Sequence, residues 1–583
     1  MRPLTTVHVT HEACEKIGGI GAVLEGMITS PVYAASVGRT ILIGPLFNHF
    51  GVPGPQRLGS EGEVLYSSLD DIDEIGLAAR MRPIEWAFNV AIIYGRRRFT
   101  DPGSGRAGEA EVVLIDVFRI NRERVDQFKL RLWEAFGLDS TRYEGDWGFE
   151  EYVRLAEPAF HAAMAILRPE ELPAVLLSHE FMGLPTVFKA VLDGHRAFRS
   201  VFHAHECSTA RHLVERHPGH DLAFYNTLHA ARAEGLDVEQ VFGDLSYHFR
   251  HALVRRAHVC DAIMAVGTLV AEEIHFLDHH FDHHQIDLVH NGIPAWSITL
   301  DERLRSRALL QGWAQQAVGF TPDLLLTHVT RPVVSKAIWR DFLVCDRLES
   351  RLAADGRRAL LVVLTSAGGT RRPQDARQMA EEYGWPRAHR EGYPDLVGPE
   401  IDLAREIERF NAHHHAVQAV LVNQFGWSGP LVGDAGTVMD FADLRRGADA
   451  EFGMAAYEPF GISPLEPLAS GAVCVVSSVC GCRWFVESAA GGAAPENVVI
   501  ADFTRWDGPR DLDTLRAIGR PERDAVEAAV AETVAARLHQ VLPRTDEDRQ
   551  RLLELGQSIV PRLGWDAVLK EHLLPTLRRL VGE

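Results

Sequence analysis

"AEFGMAAYEPFGISPLEPLASGAVCVVSS" spans residues 450–478, and its reading decides the fold. Two apolar runs, 450–456 and 471–478, bracket a segment of glycine, proline and acids. Both runs read as buried strands. Between them lie Glu458 and Glu466. Ser463, Pro464 and Glu466 fit the N-cap, N1 and N3 positions of a helix, with Glu466 closing a capping box. Gly471 fits its C-terminal cap. Capping accounts for Glu466 but not for Glu458, which precedes the helix.

Working outward, the same rhythm fills the chain. Strand-like runs at 5–10, 40–46, 112–117, 174–179, 199–205, 261–267 and 286–292 alternate with amphipathic stretches such as 149–167. The rhythm restarts at 322–331, 359–366 and 416–423 before reaching the opening stretch. This predicts an α/β fold with two doubly wound, mostly parallel sheets. The turn chemistry of "NGIPAW" (291–296) separates them. The expected domains are 1–295, 296–545 and a helical 546–583. Two Rossmann-like domains facing a central cleft would bind ligands at the carboxyl ends of their strands.

Bulk properties narrow the function. The net charge of -20 over 583 residues argues against a nucleic-acid binder, which needs a basic stripe to displace counterions. The longest aliphatic runs, such as 359–364, fall far short of the ~18 residues of a membrane span. No apolar leader opens the chain. Seven cysteines, odd in number and in apolar surroundings, fit free thiols and a cytoplasmic location. The acidic surface and helical C-terminus are compatible with a homo-oligomer.

Four further stretches carry possible chemistry. "CEKIGGIGAVLEG" (14–26) follows the first strand and opens a helix. Its glycines and amides could meet an anion, or simply make a tight turn. In "HAHECSTAR" (203–211), His205 ends a strand, and Arg211 stands about two helical turns on if a helix starts at once. "RPVVSK" puts Arg331 and Lys336 after the first strand of the second half, where two cations could neutralise a diphosphate leaving group. In "DHHFDHHQ" (278–285), His280 and His284 share a helical spacing. Spacing fixes no third ligand there, so no metal is expected.

These motifs stand in a familiar order. "EKIGGIGAVL", "FKLRLWEAFGLDS" (128–140), "LLSHEF" (176–181), "SVFHAHECSTARHL" (200–213) with "LAFYN" (222–226), "DLVHNGI" (287–293) and "DFADLRRGADAEFGMAAYEPFGISPLEPLASG" (440–471) occur in sequence. In that order the chain resembles the retaining GT-B glycosyltransferases, and most closely the glycogen synthases of the animal and fungal type. The resemblance implies transfer of glucose from UDP-glucose or ADP-glucose to an α-1,4-glucan, with no cofactor or metal. It implies that Lys16, Gly18 and Gly19 line the first domain's side of the site and that His205 positions the reacting sugar, with Arg211 near it. Arg331 and Lys336 would hold the diphosphate, and Glu458 the donor-sugar hydroxyls. The amides of Phe460, Gly461 and Ile462 would meet sugar or phosphate, and Glu466 the ribose. His179 and Glu180 would flank the acceptor path. Departures from the family pattern include the missing arginine-rich helix and Pro467 after the second glutamate. A small sugar or polyol acceptor, or a silent glucan-binding relative, are the alternatives.

Overall fold

A computed structural model describes residues 2–582 except 15, 17, 48–51, 102, 194–195, 425–426, 430–431 and 433–437. The chain divides into two compact units. Unit 1 comprises Met1–Ala210, Ala231–Gly292 and Trp565–Glu583, and unit 2 comprises Arg211–Ala230 and Ile293–Gly564.

Unit 1 is built on β1 (Leu4–Val9), β2 (Val37–Pro45), β3 (Gly62–Ser67), β4 (Ile72–Asp73), β5 (Ala91–Thr100), β6 (Ala107–Asp116), β7 (Ala174–His179), β8 (Phe198–Ala204), β9 (Ala262–Ala265) and β10 (Ile286–Leu288). They form one sheet in the order β10-β9-β8-β7-β1-β2-β6-β5-β3-β4. The run from β10 to β6 is parallel, and β5, β3 and β4 add antiparallel pairs at one edge. β1 and β7 are buried at every residue, as strands covered on both faces must be. The antiparallel edge escapes the sequence pattern because β5 is half polar: Arg96 and Arg98 of "AIIYGRRRFT" alternate with less exposed neighbours. At the C-terminal end, Trp565 packs on Gly26 and Gly292, where an added Cβ would lie 2.0 Å and 2.6 Å from the indole.

Unit 2 contains β11 (Leu324–Val329), β12 (Ala359–Leu364), β13 (Val417–Val422), β14 (Ala450–Gly453), β15 (Val473–Ser477) and β16 (Val498–Ala501). All pairs are parallel, in the order β13-β12-β11-β14-β15-β16. Alternate residues feed two cores. Leu324, Leu326, Leu361 and Val363 enter one, while Leu325, Leu360, Val362 and Leu364 enter the other. That is the period-two signature of a strand buried on both faces. The segment Arg211–Ala230 is tied in through Arg340. Its fully buried guanidinium bonds Asp221 at 2.6 Å and Glu527 at 2.8 Å.

Each parallel sheet has a point where the strand order reverses. In unit 2 the chain runs outward from β11 to β13 and then returns to the other side of β11 as β14. In unit 1 it returns to the other side of β1 as β7. Such reversals leave a crevice at the carboxyl ends of the two diverging strands. No helix among the described residues is long and apolar enough to cross a membrane.

Candidate functional site

In unit 2, the residues after β11 and β14 meet at the reversal point. Lys336 closes a short turn, Val334–Lys336, after β11. Its Nζ pairs with Glu458 Oε2, and the two side chains are 18% and 14% exposed. The loops are locked to each other by backbone bonds. Ser335 O accepts from Ala456 N at 2.8 Å and from Tyr457 N at 3.0 Å. Arg211 reaches the same neighbourhood, since its Nε donates to Glu215 at 3.1 Å. Burial would raise the Glu215 pKa, but the Ser335 hydrogen bond and Arg211 outweigh it and hold the carboxyl below its usual range. Arg331 is exposed and forms no ion pair among the described residues.

The capping box expected at Ser463 and Glu466 does not form. Gly461, at φ 91°, occupies the N-cap of a single helical turn, Ile462–Leu465, and Glu466–Ser470 continue as a 3-10 helix. Ser463 Oγ instead donates to Val329 O at 2.9 Å. Glu466 Oε2 accepts from Arg445 Nη2 at 2.9 Å and Nε at 3.2 Å. Arg445 is the residue that sequence reading missed. It is buried, donates to Ser463 Oγ at 2.6 Å, and pairs with Glu451 at 2.9 Å. Glu451 in turn accepts from Val329 N at 2.9 Å. One guanidinium thus joins the end of β11, β14 and the Glu466 turn. Gly471 does take the left-handed cap, at φ 78°.

Phe460, Gly461 and Ile462 share the loop between Glu458 and this turn. Phe460 O accepts from Cys482 N at 2.7 Å and from Cys480 Sγ at 3.0 Å. A Cβ on Gly461 would lie 2.5 Å from Cys480 Sγ, so the loop packs too closely there for any side chain.

In unit 1 the reversal point gathers histidines. His179 ends β7, and His205 directly follows β8. His179 Nδ1 and His205 Nε2 are 2.8 Å apart. The other His179 nitrogen bonds His8 Nδ1 at 2.9 Å, and His8 Nε2 lies 3.4 Å from Tyr33 OH. His203 lies against His205, with ring centroids 4.2 Å apart. Burial lowers all four imidazole pKa values, His8 to about 3 and His203 to about 4, because it disfavours the charged form. The rings are therefore neutral at pH 7. His8 and His203 were not singled out from sequence, though alternation along the strands places them on this face.

Glu180 follows His179 in a left-handed conformation at φ 57°. Its buried Oε1 accepts the amides of His205 and Glu206, the latter at 2.6 Å. Burial, and then the charge of Glu206, push its pKa well above the usual carboxylate range. Both residues expected to flank an acceptor thus brace His205 directly.

In the glycine loop Glu12 Oε2 accepts from Gly18 N at 2.7 Å and Gly21 N at 2.9 Å, so the chain's own carboxylate already holds two of the loop amides. Lys16 and Gly19 are exposed, and Lys16 pairs with Glu25 at 3.2 Å. In the histidine-rich stretch, Asp278 is held by Arg255 and His280, and Asp282 by Arg232 and His279.

No protein-family model and no curated protein sequence matches the chain. Solved structures do. The catalytic domain of starch synthase IV from Arabidopsis thaliana, bound to ADP and acarbose, superposes with a TM-score of 0.55 at 13% identity, over 100% of both chains. A UDP-forming α,α-trehalose-phosphate synthase from Burkholderia xenovorans gives 0.50 at 12% identity, again over 100% of each. A trehalose-6-phosphate structure from E. coli, bound with UDP-2-fluoro glucose, gives 0.51 at 11% identity over 99% of each. The chain has the two-domain, Rossmann-like GT-B fold.

Proposed function

We propose that the chain is a retaining glycosyltransferase that moves glucose from UDP-glucose or ADP-glucose to the non-reducing end of an α-1,4-glucan. The observation that carries this reading is the Lys336–Glu458 pair, built from the two loops at the reversal point of the second sheet. That is where an open α/β sheet takes its ligand, and a cation beside a carboxylate suits a phosphate next to a sugar.

In this reading Arg331 and Lys336 neutralise the diphosphate as its bond to the anomeric carbon breaks. Glu458 accepts hydroxyls of the donor sugar, Glu466 the ribose, and the Phe460–Ile462 amides face phosphate or sugar. The transition state has oxocarbenium character. The acceptor hydroxyl attacks from the face the phosphate leaves, and its proton passes to the departing phosphate oxygen. The new oxygen–carbon bond therefore keeps the α configuration, without a carboxylate nucleophile or a metal. His205 positions the reacting sugar, braced by His179 and Glu180. The sequence resemblance assigns Arg211 to the neighbourhood of the sugar and Lys16, Gly18 and Gly19 to the acceptor.

A second reading, transfer to a small sugar or sugar phosphate, is favoured by the trehalose-phosphate synthases among the similar structures. Incubation with UDP-glucose or ADP-glucose, alone, with glycogen and with glucose 6-phosphate, separates the two. Nucleotide release with chain extension supports the glucan reading. Release only with the small acceptor supports the second. No release with any combination overturns both.

A further inference from the structure

The histidines of unit 1 hold more than the transfer reading uses. Strand parity explains their convergence. His179 and His203 are register partners across β7 and β8, and His205 is two residues beyond His203, so all three face one side of the sheet. His8 pairs with Leu177, two residues before His179, and joins the same face. One ring nitrogen from each of His179, His203 and His205 lies within 4.8 Å of the other two. Among the described residues, these three form the one group of metal-ligand side chains gathered this closely. His203 is 2% exposed, yet neither of its ring nitrogens has a hydrogen-bond partner. A buried polar group left so is costly and calls for an explanation.

We infer that His179 Nδ1, His205 Nε2 and a ring nitrogen of His203 form a binding site for one divalent transition-metal ion of the zinc class. Three neutral imidazoles are a donor set that zinc accepts, at about 2.0–2.1 Å per bond, with a fourth position left open. The supporting shell is present. A ligating histidine is fixed by what its second nitrogen bonds, and His179 Nε2 is held by His8, which is backed by Tyr33. With His179 protonated on Nε2, its Nδ1 carries the lone pair. His205 then gives up its hydrogen bond to His179 and shifts its ring proton from Nε2 to Nδ1, so no proton is released. The ion occupies His205, so it opposes any reaction that uses that side chain. The site itself stands on geometry and does not depend on the transfer reading.

The test is calorimetric titration of the chelator-stripped full chain with Zn²⁺, paired with Co²⁺ absorption spectroscopy. One ion per chain and the intense visible band of low-coordinate Co²⁺ are expected. His203→Ala should weaken binding by at least ~100-fold, the loss that even outer-shell changes approach. His203→Phe, which keeps the ring volume, should do the same while retaining the wild-type circular dichroism. A His280→Ala/His284→Ala double variant, which removes histidines from the surface stretch 278–285, should bind as wild type does. Absence of one-to-one binding overturns the site. So does binding that survives both His203 variants but is lost in the surface variant. Zinc binding without nucleotide release in any assay leaves the metal site standing and removes the proposed function.

Discussion

Lys336 and Glu458 lie 122 residues apart in sequence and form an ion pair in unit 2. Each lies in a loop leaving a different strand, β11 for Lys336 and β14 for Glu458. Their side chains are only 18% and 14% exposed, so removing one partner leaves a largely buried charge unpaired, at a cost of up to about 3 kcal/mol. The pair's position is the informative part.

Replacing either partner tests function, with folding measured alongside. Lys336→Ala and Glu458→Gln should each lower kcat/KM for nucleotide-sugar turnover by roughly 100-fold or more, the scale of losing one charge-stabilising group in an active site. Urea unfolding midpoints should fall as well, so turnover is compared where circular dichroism shows each variant folded. Wild-type turnover in both variants, with intact folding, would remove the pair from the site.

Arg445 lies deeper. It is 1% exposed and is shared between Glu451, which is wholly buried, and Glu466. Arg445→Met removes the guanidinium paired with buried Glu451, which costs about 3–5 kcal/mol. Arg445→Lys should recover little, because a single ammonium cannot reach Glu451, Glu466 and Ser463 as a planar fork does. Denaturant unfolding measures both. A shift under 1 kcal/mol for Arg445→Met would refute the assignment of this guanidinium as the link between β11, β14 and the Glu466 turn.

The contrast between these residues shows what the sequence could disclose. Runs such as "ALLVVL" are apolar at every position because both faces of the sheet are covered, so strands and fold class are readable from composition alone. His205 directly follows β8, and Lys336 and Glu458 lie in the loops after β11 and β14, so the strand pattern puts all three at carboxyl ends of strands, the ligand edge of an open sheet. Glu466 was misread. Its local spacing satisfies a capping box, but Arg445 arrives from a helix 21 residues earlier and takes both its carboxylate and the Ser463 hydroxyl. Glu12 was missed for a similar reason. Nothing in a local pattern says that a carboxylate will fold over the glycine loop and accept from Gly18 and Gly21. The antiparallel edge is hard to read because β5 turns polar after Gly95 and pairs with β6 as a hairpin, outside the strand–helix rhythm. In each case the deciding contact is tertiary.

Gly461 carries two constraints that can be separated. Its φ of 91° disfavours any side chain, and a Cβ would press on Cys480 Sγ at 2.5 Å. Gly461→Ala should destabilise unit 2 by about 1–3 kcal/mol and raise the KM for the nucleotide sugar. Adding Cys480→Gly removes the sulfur and should restore part of the stability, leaving the backbone cost. Additive losses in the double variant would show that the close approach is not the cause.

Acid stability offers a test in unit 1. His290 is buried, its Nδ1 donates to Val266 O at 3.0 Å, and the His572 ring lies 5.3 Å away. Burial lowers its pKa from 6.5 to about 4. The folded state thus resists protonation that the unfolded chain accepts, so the unfolded state binds more protons over this range. Stability is then fully present above pH 6.5 and is lost as pH falls toward 4, by up to roughly 3 kcal/mol from this group. His290→Gln can keep a donor for Val266 O but cannot titrate. It should therefore flatten the fall in unfolding free energy between pH 6.5 and 4 while changing little at pH 8. Parallel curves for wild type and variant across that interval would show that His290 is not a source of the acid sensitivity.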